Sequence, residues 1–221
     1  MNNYSVLIID DHPLIIEVYQ SALQRINLED ETTVFKISTA NNCDAAIKTL
    51  EKKGEFNLVF LDISLPKSSD EIFLSGEDIG IKIRKLYPKT KIIICTTYND
   101  NYRVFNILKS INPDGFLIKN EFRSNDLVEY IKSVLEGIPA YSKTALKLMR
   151  KQLEHDYYLD EIDRSILHHL SFGTKTLDLE NVIPMSRGGI ASRIRKLKEI
   201  FDVVNQSNST LVLQAKEKGF I

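Results

Sequence analysis

Through its first 136 residues the chain alternates short apolar runs with segments of helical period, and no apolar run exceeds four residues. The strand candidates are "SVLIID", "VFKIST", "NLVFLD", "KIIICT" and "GFLIK". Between the first two, Leu14, Ile15, Val18, Tyr19, Ala22, Leu23 and Ile26 are spaced for one face of a helix. "DAAIKTLEKKG" closes on Gly54 as a C-cap, and "EDIGIKIRKLYP" stops before Pro88. Strands this apolar need cover on both faces, which a parallel sheet with flanking helices supplies. Right-handed crossovers then predict an α/β, doubly wound fold on five parallel strands.

The pattern changes after "LEGIP". From Tyr141 to about Asp160 the chain is polar and helix-compatible, with Lys143, Lys147 and Arg150 along it. Beyond Leu159 the helical signals are short and no strands separate them: "DEIDRSILHHL", with Asp160 as N-cap, then "KTLDLENVI", "SRGGIASRIRKLKEIF" and "NSTLVLQAKEKGF". The expected organisation is a first domain over 1–137, a linker helix over 138–158, and a small all-α domain of four short helices over 159–221.

With 43% hydrophobic and 27% charged residues, the composition is that of a soluble globular protein. No apolar run could span a bilayer, and "MNNYS" offers no secretory signal, so a cytoplasmic protein without membrane contact is expected. Cys43 and Cys95 have no metal or redox spacing and read as reduced thiols.

The chemistry gathers where the apolar runs end. Ligand crevices of doubly wound sheets lie at the carboxyl ends of the strands. Asp10 and Asp11 end the first run and Asp62 the third. If those strands are neighbours, three carboxylates converge and need a cation. All-oxygen ligation selects a hard ion such as Mg²⁺, which takes few protein ligands and keeps several waters. Thr96 ends the fourth run and Lys119 the fifth. A hydroxyl donor and a fixed ammonium at the rim of such a pocket suit a phosphoryl group.

These residues, "DD" at Asp10 and Asp11, Asp62 in "FLDISLP", Thr96, Phe116 and Lys119, resemble the receiver domain of two-component response regulators. The resemblance implies the flavodoxin-like sheet order 2-1-3-4-5. It makes Asp62 the phosphorylation site, served by a sensor histidine kinase. It implies Mg²⁺ held by Asp11, by Asp62, by the backbone carbonyl of Ser64, and by Asp10 largely through water. Thr96 and Phe116, with Lys119, would sense the phosphoryl group. His12 reads as a solvent-facing residue of the first turn. A dehalogenase-type phosphatase would need D-x-D after the first strand, which "DDHP" does not supply. The chain departs from the family after Pro66: Gly76 comes ten residues later, after "KSSDEIFLS", where the family reaches a glycine within about half that distance. The Lys67–Ser75 insertion is either a tolerated surface extension or a cover, through Ile72 to Leu74, for the pocket or a kinase contact.

In the second domain, Ile190, Ile194, Leu197 and Phe201 give one helix an apolar face. Arg187, Arg193, Arg195, Lys196 and Lys198 make the remainder basic, with no acid before Glu199. Ser186 can cap this helix, and Gly188 and Gly189 leave its start open to a phosphate. Residues 155–221 carry nine Lys+Arg against nine Asp+Glu, so the domain is not a general polyanion binder. Segregation of bases on one helix fits a reader of the DNA major groove; a solvated charged face is the alternative. The segment also resembles the LuxR/NarL-type helix-turn-helix domain, from "LDEIDRSIL" through Gly173 and Ser186 to "KGFI". That implies double-stranded DNA as partner, base contacts near Ala191, Ser192 and Arg195, and a homodimer formed through the last helix. Ala191 stands where the family often has lysine. His168 and His169, adjacent on a helix, are not a metal pair. The expectation is a transcriptional response regulator with no activity on outside substrates. The alternatives are an adaptor whose helical domain binds protein, and a metal-dependent phosphatase.

Overall fold

The computed structural model describes residues 2–97, 101–151, 159–218 and 220–221. Six strands, β1 (Asn2–Ile9), β2 (Thr33–Ala40), β3 (Leu58–Leu61), β4 (Lys91–Thr96), β5 (Gly115–Ile118) and β6 (Ala140–Tyr141), form one sheet in the order β2-β1-β3-β4-β5-β6. Every pairing is parallel. Helices α1 (Pro13–Glu29), α2 (Cys43–Lys53), α3 (Gly76–Leu86), α4 (Asn101–Ile111) and α5 (Ser124–Leu135) cross between consecutive strands.

The sheet explains the unbroken apolar runs. Leu7, Ile9, Val59, Leu61, Ile92 and Ile94 enter the core that includes α2, α3 and α4 residues, while Val6, Ile8, Leu58, Phe60, Ile93 and Cys95 enter the core on the opposite face, with α1 and α5. Alternation persists along the central strands, but from Val6 to Ile9, along β3 and from Ile92 to Cys95 both sides are dry, so it leaves no polar positions to read there. Local signals set the boundaries: Pro13 begins α1, Asn42 accepts the Ala45 amide to cap α2, and Gly54 leaves that helix at φ +74°.

The sixth strand extends the five-stranded expectation by two residues, Ala140 and Tyr141, paired with Gly115 and Phe116. Two residues are too few to show a period. The helix that follows, α6 (Lys143–Lys151), falls within the predicted linker, yet Ala145 and Leu148 are buried in the same core as Phe116 and Ile118. Residues 152–158 of the predicted linker lie outside the described residues.

A separate core begins at Leu159 and runs to Phe220. It contains α7 (Glu161–Ser171), α8 (Arg187–Ile200) and α9 (Asn208–Glu217). Where a fourth short helix was expected over "KTLDLENVI", the described residues hold only a 3₁₀ turn, Leu179–Asn181. Its amides bond three residues back, Asn181 to Asp178 and Val182 to Leu179, and Pro184 blocks continuation of a helix.

Among the glycines, Gly76 at the start of α3 leaves the least room for a side chain. A Cβ there would lie 1.8 Å from the Asp62 carbonyl oxygen, and its amide donates to Ile63 O at 3.1 Å. A Cβ on Gly80 would meet the Ile111 Cδ1 methyl at 2.5 Å, the far end of a side chain that can turn away. Gly76→Ala should therefore cost more than Gly80→Ala, roughly 1–3 kcal/mol or above. Urea midpoints check this, and a Gly76→Ala variant as stable as Gly80→Ala would contradict it.

Candidate functional site

The strand ends bring Asp10 and Asp62 together because β1 and β3 are neighbours. The Asp10 amide donates to Ala40 O at 3.1 Å and the Asp62 amide to Ile9 O at 2.9 Å, so the sheet ladder continues into both residues. Their side chains are almost wholly buried, whereas Asp11 is 31% exposed. Lys119, one residue past β5, places Nζ 2.8 Å from Asp10 Oδ2 and 2.6 Å from Asp62 Oδ2. Its own amide donates to Thr96 O at 2.9 Å, which ties the ends of β4 and β5 together. The remaining oxygens of the two aspartates accept backbone donors, His12 N to Asp10 Oδ1 and Ser64 N to Asp62 Oδ1, each at 3.0 Å.

One ammonium faces three carboxylates, and the electrostatics show the imbalance. Burial raises the Asp62 carboxyl above its ordinary pKa, opposed by the hydrogen bond from Lys119. Burial works against the charge on Lys119, yet hydrogen bonds to Asp10 and Asp62 leave its pKa above the ordinary lysine value. Ligand atoms of Asp10, Asp11, His12 and Asp62 all lie within 4.8 Å of one another. A buried, oxygen-rich set with surplus negative charge fits a hard divalent cation.

Thr96 is fully buried at the end of β4, and Phe116 is fully buried in the core shared with Ile94, Ile118 and Ala145. Ser64 reaches the site through its amide. His12 is the neighbour that sequence reasoning placed in solvent. Its side chain is 64% exposed, but Nδ1 lies 2.7 Å from Asp11 Oδ1 and 3.3 Å from Asp10 Oδ1. Nothing in "DDHP" distinguishes a histidine turned back on the aspartates from one turned outward. Behind the site, Tyr19 is buried and stacks on Phe60 with ring centroids 4.8 Å apart. Burial pushes both Cys43 and Cys95 up to about 12, which keeps them protonated and inert.

The insertion makes its polar contacts away from these carboxylates, with Asp44 at the start of α2 and with α7. Ile72 is 67% exposed, and Phe73 packs against the α3–α4 core.

The candidate DNA-contacting residues of α8 divide. Ser186 caps the helix by accepting the Gly189 amide, and Ile190, Ile194 and Leu197 face inward. Ala191, Ser192, Arg195 and Lys196 are exposed. Arg193 is turned back onto α7, paired with Asp160 and, at 3.0 Å, with Asp163. Arg187 pairs with Glu180, and Lys198 donates to Gln206 O at 2.6 Å. The missing side chain of Gly189 makes room for Met185, whose Cγ would lie 2.7 Å from a Cβ; no contact limits Gly188. A helical count of basic residues cannot separate groups that serve the fold from groups left to a ligand.

Because its raised pKa makes the fold hold a proton that the unfolded chain releases, protonation of Asp62 adds a contribution to stability. That contribution is complete below the ordinary carboxylate range and is lost as pH climbs through the raised value. In chelator-containing buffer, Asp62→Asn should gain in urea midpoint relative to wild type as pH rises through the acidic range, then hold the gain. A pH-independent difference would contradict this.

The family model for the response regulator receiver domain matches residues 6–132. The oxygen regulatory protein NreC of Staphylococcus epidermidis is 26% identical over 132 residues, a match covering 60% of this chain and 55% of NreC. The chain thus spans about half the length of such curated relatives. The transcriptional regulatory protein RcsB of Escherichia coli is 27% identical over 154 residues, covering 68% of this chain and 65% of RcsB. The structure of RcsB from Salmonella enterica serovar Typhimurium bound to promoter rprA superposes with a TM-score of 0.66 at 19% identity, covering 97% of this chain and 99% of that one. That likeness shows the fold of both domains. Buried aspartates at the ends of β1 and β3, bridged by a lysine at the end of β5, stand inside the matched region, and the chain belongs to the response regulator receiver family.

Proposed function

We propose that the chain is a transcriptional response regulator of a two-component system, phosphorylated on Asp62 by a sensor histidine kinase in the cytoplasm. The observation that carries this reading is the Lys119 ammonium shared between Asp10 and Asp62 in a crevice that also holds Asp11. The Asp62 carboxylate oxygen attacks the phosphorus of a phosphohistidine. The P–N bond breaks, its electron pair returns to the imidazole, and Asp62 becomes an acyl phosphate. Lys119 then exchanges the lost carboxylate oxygen for a phosphoryl oxygen, keeping its bond to Asp10. The Thr96 hydroxyl, at the neighbouring strand end, would donate to another phosphoryl oxygen, and Phe116 would fill the space behind it. Asp10, Asp11, Asp62 and the Ser64 carbonyl would hold Mg²⁺, which supplies positive charge against the negative charge of the transferring group. A separate phosphatase activity on outside substrates is not part of this reading.

For the helical domain, we read α8 as the element that enters the major groove, with the molecule acting as a homodimer on a two-fold site. RcsB has been solved as two dimers bound to two parallel DNAs, and the present chain shares its fold with a TM-score of 0.59 at 18% identity. Ala191, Ser192, Arg195 and Lys196 form the exposed surface of α8 that supports this reading. Arg193 serves the fold instead, since its partners Asp160 and Asp163 cap α7. This diversion of Arg187 and Arg193 into internal ion pairs favours a second reading, in which the domain binds protein as an adaptor.

Incubation with acetyl phosphate and Mg²⁺ should add one phosphoryl group to wild type and none to Asp62→Ala; equal labelling of both would contradict the assignment. In gel shifts, beryllofluoride should tighten DNA binding by wild type only. Arg195→Ala should weaken that binding by about 1–3 kcal/mol. Binding that does not weaken steeply as salt rises would instead support the adaptor.

A further inference from the structure

The Lys67–Ser75 insertion is held by bonds within itself and to α2, and it touches the helical domain. Inside it, Ser68 is buried, its amide donates to Phe73 O at 2.8 Å, and its Oγ accepts the Phe73 amide at 3.0 Å. Glu71 takes a left-handed backbone (φ 58°), and its Oε1 pairs with Lys67 of the same loop. Ser69 anchors the loop to α2 through Asp44, with Oγ 2.7 Å from Oδ2. On the far side two contacts reach α7: Glu71 Oε2 lies 3.4 Å from His168 Nε2, and the Lys67 ammonium lies 4.6 Å from the Phe172 ring centroid.

The loop leads into α3, whose first turn makes the second contact. Glu77 is fully buried. Its Oε2 pairs with Arg103 of α4, and its Oε1 accepts from Ser110 at 2.7 Å and from Arg164 of α7 at 3.2 Å. Arg164 also bonds Asp78 at 3.0 Å and donates to Leu159 O at 3.2 Å. Two carboxylates and two guanidiniums close this cluster at zero net charge.

The cluster is also divisible. If α7 leaves, Glu77 keeps Arg103 and Ser110, and Asp78 keeps its capping bonds to the Leu74 and Ser75 amides. Arg164 gains water, which its Nε lacks while docked, since that nitrogen is buried with no hydrogen-bond partner among the described residues. Neither half strands an isolated buried carboxylate, the usual penalty for breaking such a cluster. The residue before Glu77 is Gly76, pressed on the Asp62 carbonyl.

We propose that the Lys67–Ser75 loop and the first turn of α3 act together as a clasp on α7, gripping Arg164, His168 and Phe172, and that the state of Asp62 sets the grip through Gly76. The clasp stands on its own geometry; its control by Asp62 rests on the phospho-acceptor reading above. Opening the clasp and loading Asp62 must then favour each other by the same factor.

Small-angle scattering and beryllofluoride titration of the full chain test both parts. Arg164→Ala and Glu71→Lys, the second bringing a like charge beside Lys67, should each enlarge the radius of gyration. Each should also tighten beryllofluoride binding several-fold with Mg²⁺ present. Circular dichroism reports whether each variant folds; if Arg164→Ala does not, Glu71→Lys, on an exposed loop, decides alone. Folded variants with the scattering curve of wild type would overturn the clasp. Variants that expand with unchanged beryllofluoride affinity would overturn its control by Asp62. If wild type binds no beryllofluoride at all, the phospho-acceptor reading fails, and the clasp is judged by the scattering.

Discussion

The ammonium of Lys119, held between Asp10 and Asp62, is the interaction on which the rest of the receiver depends. It sits at the end of β5, and the two aspartates sit at the ends of β1 and β3, so it is satisfied only if three strands end at one level. The parallel sheet provides that level. Burial makes the site reactive in turn: it raises the cost of ionising Asp62 and strengthens every charge–charge contact made there. One cation does not balance three acids, and the remaining negative charge suits a hard divalent cation, whose positive charge the proposed phosphoryl transfer would use.

The same strand end governs how the site communicates. Asp62 is followed by an insertion that returns at Gly76, against the Asp62 carbonyl, before α3 begins. The chain directly after Asp62 therefore carries both the loop and Glu77, and both touch α7. On the other flank, Thr96 ends β4, and the Arg103 partner of Glu77 lies on the helix that follows. The route through Gly76 ends at the buried cluster of Glu77, Arg103 and Arg164, which gives the proposed clasp a short physical path from the pocket.

Much of this was legible in the sequence because the signals were local. Apolar runs bounded by Asp, Thr and Lys marked both the strands and the pocket, and Ser186 and Asp160 capped the helices assigned to them. What escaped reading depended on contacts distant in the chain. β6 is two residues long and exists through its pairing with β5. The expected helix before α8 is a 3₁₀ turn, because Pro184 and turn-forming residues outweighed the apolar spacing. The pairing of Arg193 with Asp160 and Asp163, thirty or more residues earlier, was likewise out of reach of a count of bases along one helix. The apolar "IFL" of the insertion left a surface extension, a pocket cover and a kinase contact open, and the loop's bonds to α2 and α7 depend on residues far from it in the chain.

Calorimetric titration of Mg²⁺ into the folded protein, beside an Asp11→Ala variant, tests the central claim most directly. The three converging acids predict one saturable site in wild type and a large loss of affinity in the variant, with the fold intact by circular dichroism. Equal heats for both proteins, or no uptake by wild type, would contradict the account.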